Sequence, residues 1–113
     1  NLAYLLQAME RDGEAEAAFA HALAIDDTLD RAWYGLALLY IRARRFEEAA
    51  VALRRTTRLQ PMSPSGWYQL ARVQCDRRRP DEAAWIIRHL KGFEPRVAAQ
   101  LERETGLHGQ LSS

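Results

Sequence analysis

The sequence has one cysteine, Cys75, and one lysine, Lys91, in 113 residues. A single cysteine excludes an internal disulfide and gives no sign of an oxidising compartment, which slightly favours the cytoplasm. Glycine and proline are sparse, at six and four, so the chain is neither fibrous nor low in complexity. Long apolar runs are absent. The longest, 32–41, has ten residues and contains Gly35, well short of the roughly 18 a membrane span needs. No secretory signal and no initial Met are present, and the first residues, "NLAYLLQAME", already follow a helical pattern. The chain therefore reads as a piece of a longer protein, with at least one more helix expected before Asn1.

Hydrophobic residues make up 48% and charged residues 27%, as in one soluble globular domain. The net charge is +1, but residues 1–30 carry −6 and residues 31–113 carry +7. Fifteen of the sixteen basic residues are arginine, a weak pointer to a GC-rich bacterial genome.

A repeat organises the rest. Trp33-Tyr34 returns as Trp67-Tyr68, an offset of 34 residues. The same offset aligns Leu2, Leu36 and Leu70, then Ala15, Ala49 and Ala83, then Phe19, Leu53 and Ile87, without a gap. Ile25, Leu59 and Phe93 follow, and then Asp27, Pro61 and Pro95. Within a unit the spacing is helical. Trp33, Leu36, Ala37 and Tyr40 share one face, and Ala49, Leu53 and Thr56 share a face of a second helix. Thr56, at a small apolar position, is expected to bond back to a carbonyl one turn earlier. The pattern predicts helices near 1–10, 13–26, 29–43, 46–59, 64–77, 80–92 and 95–105. Pro61 and Pro95 close second helices, and Pro80 begins one with Asp81 and Glu82 behind it. Gly92 and Gly106 stand at expected helix ends.

The period and the series Trp33, Leu36-Ala37, Tyr40, Ala49, Leu53, Leu59, Pro61 resemble the tetratricopeptide repeat. The resemblance covers about residues 1–95, and the unit opening at Trp67 follows it with departures. Gln74 and Pro80 replace aromatics there, so the third unit is expected to pack less tightly. Arg44 and Arg78 occupy turns where the family usually has glycine. The resemblance implies an all-α, right-handed superhelix of antiparallel helix pairs. It has about three 34-residue units (1–29, 30–63 and 64–97) and a C-terminal capping helix at 95–105, one domain over 1–106. That helix would turn Val97, Ala98 and Leu101 inward and Gln100, Glu102, Arg103 and Glu104 elsewhere. Residues 107–113 would be a frayed tail.

The resemblance also implies a function: binding a partner protein's segment in the concave groove lined by first helices, as an adaptor or assembly module. In this geometry Trp33 and Trp67 serve the core. Tyr34 and Tyr68 are turned about 100° away and look into the groove. The groove set is Tyr4, Gln7, Tyr34, Leu38, Ile41, Arg42, Tyr68, Arg72 and Cys75. The family's carboxylate clamp of Lys and Asn has no counterpart, since Tyr34, Leu38, Tyr68 and Arg72 fill its slots. The fitting partner is a partly apolar segment with an acidic residue for Arg42 or Arg72. The alternative is an architectural or self-associating segment, a homodimer through Trp85, unless the C-terminal helix covers Trp85. The arginine turns Arg44–Arg45 and Arg77–Arg79 would lie side by side along one edge. The small net charge argues against nucleic acid. His21, His89, His108 and Cys75 lack metal-ligand spacing, and no phosphate loop or nucleophile arrangement is present. No catalytic residue, metal or cofactor is expected.

Overall fold

The computed structural model describes the backbone of residues 2–107 and the side chains of residues 11–107. Tyr4 and Gln7 of the expected groove therefore lie outside the described side chains, as does His108. Six helices and no strand occur among the described residues: α1 (Leu2–Ile25), α2 (Asp30–Arg42), α3 (Phe46–Leu59), α4 (Pro64–Asp76), α5 (Pro80–Lys91) and α6 (Pro95–Thr105).

From residue 29 onward these agree with the sequence pattern to within two residues. The amino-terminal end differs. The break expected between residues 10 and 13 is absent, and α1 runs straight through as one helix of 24 residues. The two turns that do form show why. Each places an arginine in the left-handed region, Arg44 at φ 60° and Arg78 at φ 61°. In each, the next residue's N–H donates back over the turn, Arg45 to the Tyr40 carbonyl and Arg79 to the Gln74 carbonyl, both at 2.8 Å. Gly13 does not adopt a left-handed φ, and no proline lies nearby to stop the helix. Gly13 instead stays helical, at a propensity cost of about 1 kcal/mol. Residues 13–25 consequently have no antiparallel first helix of their own unit beside them. Ile25 is 75% exposed, whereas its counterparts Leu59 and Phe93 are half-buried.

Proline opens α4, α5 and α6 at the position where a missing N–H costs nothing. Glu47 and Glu48, then Asp81 and Glu82, occupy the first turns of α3 and α5, where the helix dipole favours them. Gly106, at φ 74°, ends α6. Leu107 packs against the core, and residues 108–113 of the expected tail lie outside the description.

The core is built from the positions the repeat marked. Ala37, Ala49, Leu53, Ala71, Ala83 and Ile87 are fully buried. Ala98 and Leu101 join them from α6. Leu101 stands 34 residues after Trp67, so α6 has the register of a first helix. Thr56 donates to the Ala52 carbonyl at 3.1 Å, one turn back as expected.

Trp33 and Trp67 are half-buried rather than enclosed. Each packs one face on the core and spends its indole N–H on the preceding turn, Trp33 on the Asp27 carbonyl at 2.9 Å and Trp67 on the Pro61 carbonyl at 2.8 Å. Asp27 and Pro61 are themselves repeat-related, so the same bond recurs in both units.

Candidate functional site

The i, i+1 step between Trp and Tyr turns the tyrosines of α2 and α4 to a different side from their tryptophans. Tyr34, Tyr68, Ser65, Gln69, Val97 and Gln100 line a concavity of about 320 Å³ between α2, α4 and α6. A neighbouring depression of about 250 Å³ shares Tyr34 and Ser65 and runs toward Arg31, Thr56 and Gln60. The surface is mixed: two phenol rings, one valine, two amides and a hydroxyl.

Of the nine residues expected in the groove, Tyr34 and Tyr68 come together at this concavity. The other described ones do not line it directly. Ile41 packs against the core, and Leu38 is half-buried. Arg42 pairs with Asp12 of α1 at 3.4 Å. Arg72 donates to the Tyr68 hydroxyl at 3.1 Å and lies 3.6 Å from the Glu104 carboxylate. Cys75 is half-buried, and burial, aided by the negative charge of Asp76, pushes its thiol up. A raised thiol is a poor nucleophile near neutral pH, in keeping with a small helix residue.

Glu104 was expected on the side of α6 away from the core, and it is, but that side is not idle. The Tyr68 hydroxyl donates to Glu104, and the Gln100 amide donates to its other oxygen at 2.9 Å. These donors hold the Glu104 carboxyl below the usual carboxylate range, the Tyr68 bond contributing most. α6 thus closes one side of the concavity with Val97 and Gln100, and Glu104 braces Tyr68 and Gln100 behind them. The sequence carried a signal for this in the third step of the series Trp33, Trp67, Leu101, which sets the face α6 turns to α4.

Trp85 is not covered by α6. It is 47% exposed, stacks on His89 at 5.2 Å with the planes 6° apart, and lies 6.0 Å from Trp67. His89 also touches Trp67 at 4.6 Å and Phe93 at 5.4 Å. In the arginine turns, Arg44 and Arg78 are exposed, whereas their neighbours are engaged within the chain. Arg45 is forked onto Glu48 at 2.8 and 2.6 Å, reaches Glu16 at 2.9 Å, and covers the Tyr40 ring at 4.5 Å. Arg77 is only 13% exposed and donates to Gln74 at 3.0 Å. Arg79 pairs with Glu82 at 3.7 Å. The Arg45–Glu16 pair ties this turn to α1, and the Glu48 and Glu82 pairs are local to the first turns of α3 and α5.

Among the described residues no cluster of His, Cys, Asp or Glu could hold a metal ion, and no helix is long and apolar enough to cross a membrane. No curated protein matches the chain. A family model described as tetratricopeptide repeat matches residues 6–72. Proteins of that family are generally non-enzymatic, and their repeats generally serve as protein–protein interaction modules. With helix pairs at a 34-residue period, and Trp33 and Trp67 each fastening the turn before it, the chain belongs to the tetratricopeptide repeat family.

Proposed function

We propose that the chain is an adaptor or assembly module that holds an extended segment of a partner protein in the groove between α2, α4 and α6. The observation that carries this is the pairing of Tyr34 and Tyr68, repeat-related rings on one concavity, with the amides of Gln69 and Gln100 between α4 and α6. Tyrosine supplies large contact area at low entropic cost and is a common anchor at interfaces. The amides are suited to the main chain of an extended peptide. Both groove arginines already face carboxylates of this chain, Arg42 that of Asp12 and Arg72 that of Glu104. An acidic partner residue would therefore have to displace one of them, and the segment that fits best is uncharged and partly apolar.

The test is capture of partners from the source cell by wild type, Tyr34→Ala and Gln69→Arg. Loss of capture in both variants, with unfolding temperatures near wild type, supports the groove. Loss of capture with a matching loss of stability in Tyr34→Ala, and undiminished capture by Gln69→Arg, makes Tyr34 a packing residue and overturns the reading.

A further inference from the structure

A second concavity lies on another side of α4. On α4, Tyr68 and Gln69 turn to the groove, whereas Trp67 and Gln74 turn to a cavity of about 490 Å³ between α3, α4 and α5. Trp67 and Trp85, in contact with each other at 6.0 Å between centroids, form one aromatic wall, and Arg54 and Arg58 of α3 also line the cavity. The volume is in the range of ligand-binding clefts.

Its origin can be traced to the sequence. In the second unit Tyr40 carries Arg45 over its ring. The third unit has Gln74 at that place, 1% exposed, with its amide donating to Glu82 and its oxygen accepting from Arg77. A smaller, fully satisfied amide leaves room above it and orphans nothing. The charges are unequal. Glu82 is neutralised by Arg54 at 3.4 Å and Arg79 at 3.7 Å. Arg58 is exposed and has no carboxylate partner among the described residues. An apolar, aromatic-walled cleft with one uncommitted guanidinium at its rim is complementary to an aromatic ring beside a carboxylate.

We propose that this cleft is a second docking site, independent of the groove, for an acidic segment of another protein that lays an aromatic side chain against the wall formed by Trp67 and Trp85 and sets a neighbouring carboxylate on Arg58. Trp85 is exposed because it is part of that wall.

The test uses an acetylated, amidated peptide Gly-Asp-Phe-Asp-Gly as probe and the indole N–H signals of the three tryptophans in nitrogen-15 NMR. The expected result is movement of the Trp67 and Trp85 signals with Trp33 unmoved. Arg58→Glu, an exposed change, is expected to weaken the probe about tenfold, as losing a charge-assisted bond does, and Gly-Asn-Phe-Asn-Gly to bind as weakly. Trp85→Ala is expected to abolish binding, and Tyr34→Ala to leave it unchanged. Three results would overturn the proposal: no indole signal moves, Arg58→Glu binds as wild type, or Tyr34→Ala abolishes binding and so places the probe in the groove. A concentration-dependent dimer that Trp85→Ala dissociates would also overturn it, since the occupant would then be a second copy of this chain.

Discussion

The indole N–H of Trp67 donates to the carbonyl oxygen of Pro61 at 2.8 Å, fastening α4 to the turn that precedes it. Trp33 does the same to Asp27 one unit earlier. Phenylalanine keeps most of the packing and removes the donor. Trp33→Phe and Trp67→Phe should each lower unfolding free energy by about 1–2 kcal/mol, from the lost bond and the smaller ring. Trp85→Phe, which forfeits no indole hydrogen bond of this kind, should cost less. Urea unfolding of the three variants checks the order.

Arg44 and Arg78 hold left-handed backbone at φ 60° and 61°, which costs a residue with a Cβ about 1 kcal/mol. Arg44→Gly and Arg78→Gly should therefore be neutral to stabilising by about 1 kcal/mol, read as a rise in unfolding temperature, after the entropy glycine adds to the unfolded chain. Arg44→Ala, with the Cβ retained, should show no gain.

Gly35 lies under a ring. A Cβ there would come 2.6 Å from Phe19 Cζ and 3.0 Å from its neighbours. Alanine favours the helix by about 1 kcal/mol over glycine, but overpacking costs about 1–3 kcal/mol. Gly35→Ala should be destabilising on balance, and Gly35→Ala combined with Phe19→Leu should recover the helix gain. Thermal unfolding of the single and double variants decides it.

Acid should loosen α6. The folded-state pKa of Glu104 is depressed by the Tyr68 hydroxyl and the Gln100 amide. A depressed carboxyl contributes stability that is present above its unfolded value and is lost as pH falls through the folded one. The window thus begins near the ordinary value of 4.5 and extends below it. Amide exchange in α6, or urea unfolding from pH 7 to pH 3, should show this dependence in wild type and less of it in Glu104→Gln.

Arg45 bridges three helices, reaching Glu16 of α1 and Glu48 of α3 while covering Tyr40 of α2. Arg45→Ala should speed hydrogen exchange in residues 13–25 of α1 more than in α4 or α5. Uniform acceleration along the chain would mean that the bridge is not local to α1.

What the sequence made legible follows from how repeats fold. Each small-large pair, such as Ala37 with Leu53 or Ala71 with Ile87, is buried by its own unit and neighbour, so a fixed offset exposes it. The helix bounds after residue 29 were readable for the same reason. The straight α1 was not, because the pattern marks which residues turn inward but not whether a left-handed residue exists to reverse the chain. Gly13 offered that freedom and the backbone does not use it. The fates of Arg42, Arg45 and Arg72 were hidden too. Their carboxylate partners Asp12, Glu16 and Glu104 are 29 to 32 residues distant, and long flexible side chains leave no periodic trace. The cleft beside Trp85 was half visible: Gln74 and Pro80 announced looser packing, but not that the space would open beside two indoles.

The recurrent indole-to-carbonyl bond also has a mechanical meaning. In a chain of stacked hairpins, bending and twisting concentrate at the turns between units, because the helices themselves are stiff. Trp33 and Trp67 each tie such a turn to the helix that follows. Force applied along the array should therefore extend it as a spring with stiffened joints, and the indole donors of these two residues should help set its compliance.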